Sequence, residues 1–93
     1  MNTAKLQLEG LLLALGSLMR ALKKKGLLTE AEIQEMLREA EMRAASEARP
    51  DGLSPANVHA VMFPIRFLDR DVAVGEPQSY GELAAAVARE RRV

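Results

Sequence analysis

The sequence predicts an all-α fold, a small bundle of about four helices in which residues 1–93 form a single helical domain. The first indication is that apolar residues recur at three- and four-residue steps in four separate stretches, the spacing of a helix face. The second is that two of these stretches begin with a capping-box motif. The third is the absence of paired alternating segments that could form a sheet, although Val72 and Val74 alternate as a strand would.

The first predicted helix covers residues about 4–25 and is the most apolar part of the chain. A row of small side chains lies beside its main apolar stripe and would let another backbone approach closely, while Leu6 and Leu13 lie elsewhere on its surface. Because so little of this helix is polar, we expect it to be covered on two sides. The stripe consists of Leu8, Leu11, Leu12, Leu15, Leu18, Met19 and Leu22, and the small row of Gly10, Ala14, Ser17 and Ala21.

The end of the first helix is marked by Lys23, Lys24 and Lys25 followed by Gly26. Cations suit the last turn of a helix, and glycine readily adopts the left-handed conformation that closes it. We interpret the lysines as a solvated cap; the alternative interpretation is a phosphate-binding patch.

The second predicted helix, residues about 30–48, begins with a capping box made by Thr29 and Glu32, and Leu28 and Ile33 are placed to form a hydrophobic staple. The short connection predicts an antiparallel hairpin in which the second helix covers one side of the first. The side chains predicted to face inward are Ile33, Met36, Leu37, Ala40, Ala44 and Ala48.

The third predicted helix covers residues about 55–70, with Ser54 as its cap and Pro55 in the first turn. Pro64 removes a backbone hydrogen bond inside this helix, so we expect a kink or a break there and favour the kink. Residues 71–78 are predicted to be irregular. The predicted buried face consists of Val58, Val61, Met62, Ile65 and Leu68.

The fourth predicted helix is short, covering residues about 80–91 after a second capping box formed by Ser79 and Glu82. Its inward residues are predicted to be Leu83, Ala84 and Val87. Three arginines near its end, Arg89, Arg91 and Arg92, suit the negative end of the helix dipole.

The composition limits the functions that the chain can have. Thirteen basic and thirteen acidic residues cancel, which gives no overall attraction for nucleic acids. No cysteine is present, which excludes disulfides and thiolate catalysis and fits a reducing, cytoplasmic location. The uncharged run from Gly10 to Met19 is too short to span a membrane, so we expect no membrane association.

No residue pattern predicts catalysis, a cofactor or a metal. His59, the one histidine, has no carboxylate or nucleophile at helical spacing, and position 56 is Ala where a Glu-x-x-His metal pair needs Glu. The carboxylate row Glu32, Glu35 and Glu39 lies opposite the apolar stripe, as expected of a solvated face. We therefore predict no catalytic, cofactor-binding or metal-binding residues, and no enzyme activity.

A local resemblance lies in the segment from Gly75 to Ala84, which reads GEPQSYGELA. It resembles the segment that opens the DNA-binding helix-turn-helix of the alkylguanine DNA alkyltransferase-like family. That resemblance implies minor-groove DNA binding and base flipping. Without a cysteine the chain cannot perform the alkyl transfer of that family.

The function predicted from the sequence is that of a small protein-interaction module of bacterial type, associating as a homodimer through its first helix. One alternative is a nucleic-acid-binding accessory that uses the lysine cluster and the C-terminal arginines, although nucleic acid is the less favoured partner. A second alternative is a regulatory or adaptor subunit of a larger complex. In a third, a groove that contains Met19, Met36 and Met62 binds a helix of a partner protein. The predicted interface residues are Leu8, Leu11, Leu12, Leu13, Ala14, Leu15, Leu18, Met19 and Leu22.

Overall fold

The protein is described by a computed structural model covering residues 3–48, 55–74 and 77–90, with side chains described at 3–46, 59–74 and 77–90. The element order is α1 (Thr3–Lys24), α2 (Glu30–Ala48), α3 (Pro55–Ala73) and α4 (Tyr80–Glu90). The predicted all-α bundle of four helices is confirmed. Within these ranges no residue is in a β-strand. The predicted cap Ser54 lies outside the described residues.

The end of α1 follows the predicted glycine closure. Gly26 has a φ of 75°, the left-handed conformation that a residue with a β-carbon rarely adopts. Its N–H donates to the Lys23 carbonyl at 3.0 Å, and the Leu27 N–H donates to the Leu22 carbonyl at 3.0 Å. This pair of hydrogen bonds is a Schellman motif, so the chain leaves α1 in a fixed direction.

Both predicted capping boxes are present. At the start of α2 the Glu32 N–H donates to Thr29 Oγ1 at 3.1 Å, and the Thr29 N–H donates to Glu32 Oε1 at 2.8 Å. At the start of α4 the Glu82 N–H donates to Ser79 Oγ at 3.1 Å, and the Ser79 N–H donates to Glu82 Oε1 at 3.0 Å. Hydrogen bonds with Ser79 hold the pKa of the Glu82 carboxyl group below its ordinary value. The bond from the Ser79 backbone N–H has the larger effect, and the bond with the Ser79 side chain adds to it.

The helix at the centre of the bundle is α3, which packs closely against each of the other three helices. The sequence predicted that α2 covers one side of α1, but α2 packs mainly on α3. The core joins all four helices. Its fully buried side chains are Leu12, Ile33, Phe67, Asp71, Val72, Leu83 and Val87.

The helix α3 is continuous through Pro64 and ends three residues later than predicted, at Ala73. A break at Pro64 is therefore wrong, while the favoured kink stays a prediction. The irregular conformation predicted from residue 71 onwards is wrong for residues 71–73, which include Asp71 and Val72. Both of these side chains are fully buried, and Asp71 pairs with Arg20 of α1. These tertiary contacts hold the last turn of α3 in place, which local sequence signals could not indicate.

The predicted inward faces are largely correct, with three exceptions. Met36 and Val61 are more than two-fifths exposed, and in α4 Ala86 is buried whereas Ala84 is only half-buried. The side chains of Ala48 and Val58 are not among those that the structure describes. In the part of the chain that the structure describes, no helix has the length and apolar character needed to cross a membrane.

Candidate self-association surface

The inner side of α1 is fixed to the bundle by three buried residues, Leu12, Gly16 and Met19. Leu8 and Leu15 pack partly against the same core. These residues recur at three- and four-residue steps, so they form one face of α1. The opposite face of α1 consequently points away from the other described helices.

That outer face carries four large apolar side chains in contact with solvent. Leu6 is 47% exposed, Leu11 57%, Leu13 38% and Leu18 54%. Between them run the exposed small residues Gly10, Ala14, Ser17 and Ala21. We call these eight residues the leucine face. Single exposed leucines are common on proteins, but four on one helix face form a contiguous apolar patch, which is typical of an interaction site.

No charged side chain interrupts the leucine face. Between residues 6 and 21 the only charged residues are Glu9 and Arg20, and both are half-buried on the sides of α1 that adjoin the bundle. A solvent-facing helix surface of this length normally carries several charged residues. The leucine face is thus uncharged along its whole length.

The sequence-predicted interface residues divide into three groups in the structure. Leu12 and Met19 are buried inside their own subunit, and Leu8, Leu15 and Leu22 are half-buried. The residues left for a partner are Leu11, Leu13, Ala14 and Leu18, together with Leu6, Gly10, Ser17 and Ala21. The sequence stripe was too broad because the position of α3 against α1 decides which leucines are covered.

A polar anchor sets the rotation of α1 about its axis. Asp71 of α3 is 1% exposed, and its carboxylate pairs with the Arg20 guanidinium, which also donates to the Asp71 carbonyl at 3.5 Å. The carboxylate lies directly over Gly16: a β-carbon there would overlap Asp71 Oδ2 and lie 3.2 Å from Cγ. This contact, which no pattern in the sequence indicates, brings α1 and α3 close together and leaves the leucine face outward.

The remaining predicted sites do not converge. Lys23 pairs with Glu30 at 2.7 Å, while Lys24 and Lys25 are exposed; Arg91 and Arg92 lie outside the described residues. Arg20, Lys23 and Lys24 line a surface cleft of about 360 Å³ beside Val72 and Val74. Because Arg20 and Lys23 are neutralised by acidic partners, this cleft has little free positive charge.

His59 lines a second cleft, of about 630 Å³, together with Lys5, Leu8, Phe63 and Tyr80. Its Nδ1 atom is buried and has no hydrogen-bond partner. The rings of Phe63 and Tyr80 each contact the buried ring of Phe67, with ring centroids 6.0 and 5.2 Å apart respectively. No carboxylate lines it among the described residues, so no acidic side chain is placed to orient the His59 imidazole.

Among residues 3–48, 55–74 and 77–90, no cluster of three or more His, Cys, Asp or Glu side chains could hold a metal ion. Glu32, Glu35 and Glu39 of the carboxylate row are all exposed on α2. Comparison of the chain with protein-family models, with curated proteins and with solved structures gives no match.

Proposed function

We propose that the protein is a small helical interaction module that associates with a second copy of itself through the leucine face of α1. The observation that carries this proposal is the half-exposed state of Leu6, Leu11, Leu13 and Leu18 on a helix side without charge. Burying such a surface in an isologous contact removes it from water on both subunits at once.

The expected affinity follows from the exposed area. Fully burying a leucine contributes about 1.5–3 kcal/mol, so a half-exposed one contributes roughly 1 kcal/mol when a partner covers it. The four leucines of each subunit together give a dimer roughly 8 kcal/mol of gross apolar stabilisation. Association costs about 4–15 kcal/mol in lost freedom. These two figures are of similar size, so we expect a weak, reversible dimer rather than a permanent one.

Replacement of Leu18 by Glu tests the proposal, because a dimer with two-fold symmetry would then bury two unpaired charges. We expect Leu18→Glu to raise the dissociation constant at least about 100-fold. This change corresponds to a cost of about 3 kcal/mol per dimer for burying the two charges. The molar mass is measured by size-exclusion chromatography with light scattering. Circular dichroism shows that the variant keeps its helices.

Met42→Glu provides the matched control, because Met42 is 73% exposed on α2, away from the leucine face. It introduces the same charge at an exposed apolar side chain and should leave the dimer intact. An equal loss of association in both variants would contradict the proposal, and so would a Leu18→Glu variant that dimerises like the unmodified chain. If the unmodified chain is monomeric and captures a different protein through Leu18, the surface serves an adaptor and self-association is wrong.

A further inference from the structure

The small residues at the middle of the leucine face follow a spacing that reads the same in both directions. Gly10, Ala14, Ser17 and Ala21 are separated by four, three and four residues. When two copies of α1 face each other about the midpoint of this row, every small side chain meets another small side chain. The two backbones can then approach closely, with the leucines packed on both sides of the contact.

On the basis of the self-association proposed above, we propose that two α1 helices pair antiparallel, with the two-fold axis passing between Ala14 and Ser17. In this register Gly10 lies opposite the partner's Ala21, and Ala14 lies opposite the partner's Ser17. A rise of about 1.5 Å per residue places Leu11 within roughly 3 Å, along the helix axis, of the partner's Leu18. The leucines on that side of the contact therefore interdigitate.

Charge at the ends of the leucine face selects the antiparallel orientation over the parallel one. Glu9 and Lys24 lie on the same flank of α1, about 60° apart around the helix, and neither has an ion-pair partner among the described residues. The antiparallel register brings Lys24 to within roughly 3 Å, along the axis, of the partner's Glu9. A parallel pair would instead place the lysine clusters of both subunits side by side, where like charges repel.

Cysteine cross-linking tests this register directly, because the chain contains no cysteine of its own. Gly10→Cys and Ala21→Cys are suited to it: both positions are exposed, and a β-carbon on Gly10 meets no atom within 4 Å. In the antiparallel dimer two copies of position 10 are roughly 16 Å apart along the axis, and so are two copies of position 21. A disulfide needs Cα atoms about 4.4–6.8 Å apart.

Each variant alone should therefore form few disulfide dimers under mild oxidation, whereas a mixture of the two should form the mixed disulfide, identified by its mass. We expect the mixed species to exceed each homodimeric species at least about tenfold, against an expected ratio near two for random pairing. Met42→Cys, on α2, gives the background of collisional cross-linking.

The outcomes separate the register from the proposed function. Efficient disulfides in each variant alone, with the unmodified chain dimeric, would show a parallel pair and overturn the register while the proposed function stands. Cross-linking no greater than that of Met42→Cys, together with a monomeric chain, would overturn both. If cross-linking stays at the level of Met42→Cys although the chain is dimeric, the dimer does not form through the leucine face.

Charge reversal supplies a second test that needs no cross-link. Glu9→Lys and Lys24→Glu should each weaken the dimer about threefold to tenfold, because each places like charges together at both ends of the contact. The double variant restores opposite charges and should recover the affinity of the unmodified chain. Failure of the double variant to recover affinity, with both single variants weakened, would contradict the antiparallel contact between these residues.

Discussion

Gly16→Ala is expected to destabilise the fold, although alanine is the better helix former. Gly16 lies within α1 beneath the buried carboxylate of Asp71, so an added methyl group overlaps Asp71 Oδ2. Either α1 moves away from α3, or the carboxylate turns aside and weakens its contact with Arg20. Both responses disturb the contact that fixes the rotation of α1.

The magnitude follows from three opposing contributions. Replacing glycine by alanine inside a helix stabilises it by about 1 kcal/mol. Forcing an extra methyl group into a packed contact costs about 1–3 kcal/mol, and breaking a buried ion pair by removing one partner costs about 3–5 kcal/mol. Because Arg20 is partly exposed and can follow the carboxylate, only part of the last cost applies. We expect a net destabilisation of about 2–4 kcal/mol, a large part of the stability of a small domain.

The assay is urea unfolding followed by circular dichroism, at a concentration low enough to keep every variant monomeric. Gly10→Ala is the matched control on the same helix, because a β-carbon there meets no atom within 4 Å, and it should stabilise the protein by about 1 kcal/mol. Asp71→Ala removes the obstructing carboxylate. In that background Gly16→Ala should change sign and become stabilising by up to about 1 kcal/mol.

The reasoning is refuted if Gly16→Ala stabilises the unmodified protein as much as Gly10→Ala does. It is also refuted if Gly16→Ala costs the same with and without the Asp71 carboxylate, because the cost would then arise from another neighbour.

Two further predictions concern the cap of α4 and the core. The pKa of Glu82 is lowered in the folded state, so its charge stabilises the fold above the unfolded pKa of about 4.3, and that contribution is lost as the pH falls through the lowered pKa. The melting temperature of the unmodified protein should accordingly exceed that of Glu82→Gln at pH 7, with a difference that shrinks below about pH 4; a pH-independent difference would contradict this. Phe67→Ala should cost about 3–5 kcal/mol in urea unfolding because Phe67 is fully buried on the central helix, whereas a cost under about 1 kcal/mol would place it outside the core.

Signals confined to neighbouring residues predicted the helices and their ends well. The capping boxes at Thr29 and Ser79 need only residues three positions apart, and the closure at Gly26 depends on one glycine after a row of lysines. Such signals act within a single turn, so a sequence read alone contains them in full.

The arrangement of the helices depends on contacts between distant residues, and there the sequence was less informative. The leucine content of α1 suggested a helix covered on two sides, whereas the helix that contacts all three others is α3, with Phe67, Asp71 and Val72 fully buried. A buried aspartate is rare, and its partners Gly16 and Arg20 lie more than fifty residues earlier in the chain. No periodicity within α3 indicates them.

Contacts between distant residues also decide which leucines of the apolar stripe of α1 are buried and which are exposed. Leu11 and Leu12 are adjacent, and periodicity assigned both to one stripe, yet one is more than half exposed and the other is buried. The direction in which α3 approaches α1 makes that difference. The sequence predicted an excess of apolar surface on α1, and the structure locates that surface on the leucine face.

The central claim is that the leucine face brings two copies of this chain together, and sedimentation equilibrium of the unmodified protein tests it most directly. Across a concentration series up to about 200 µM, we expect a weight-average mass that rises from 10.2 kDa towards twice that value and fits a reversible monomer–dimer equilibrium. A mass that remains at 10.2 kDa at every concentration would contradict it.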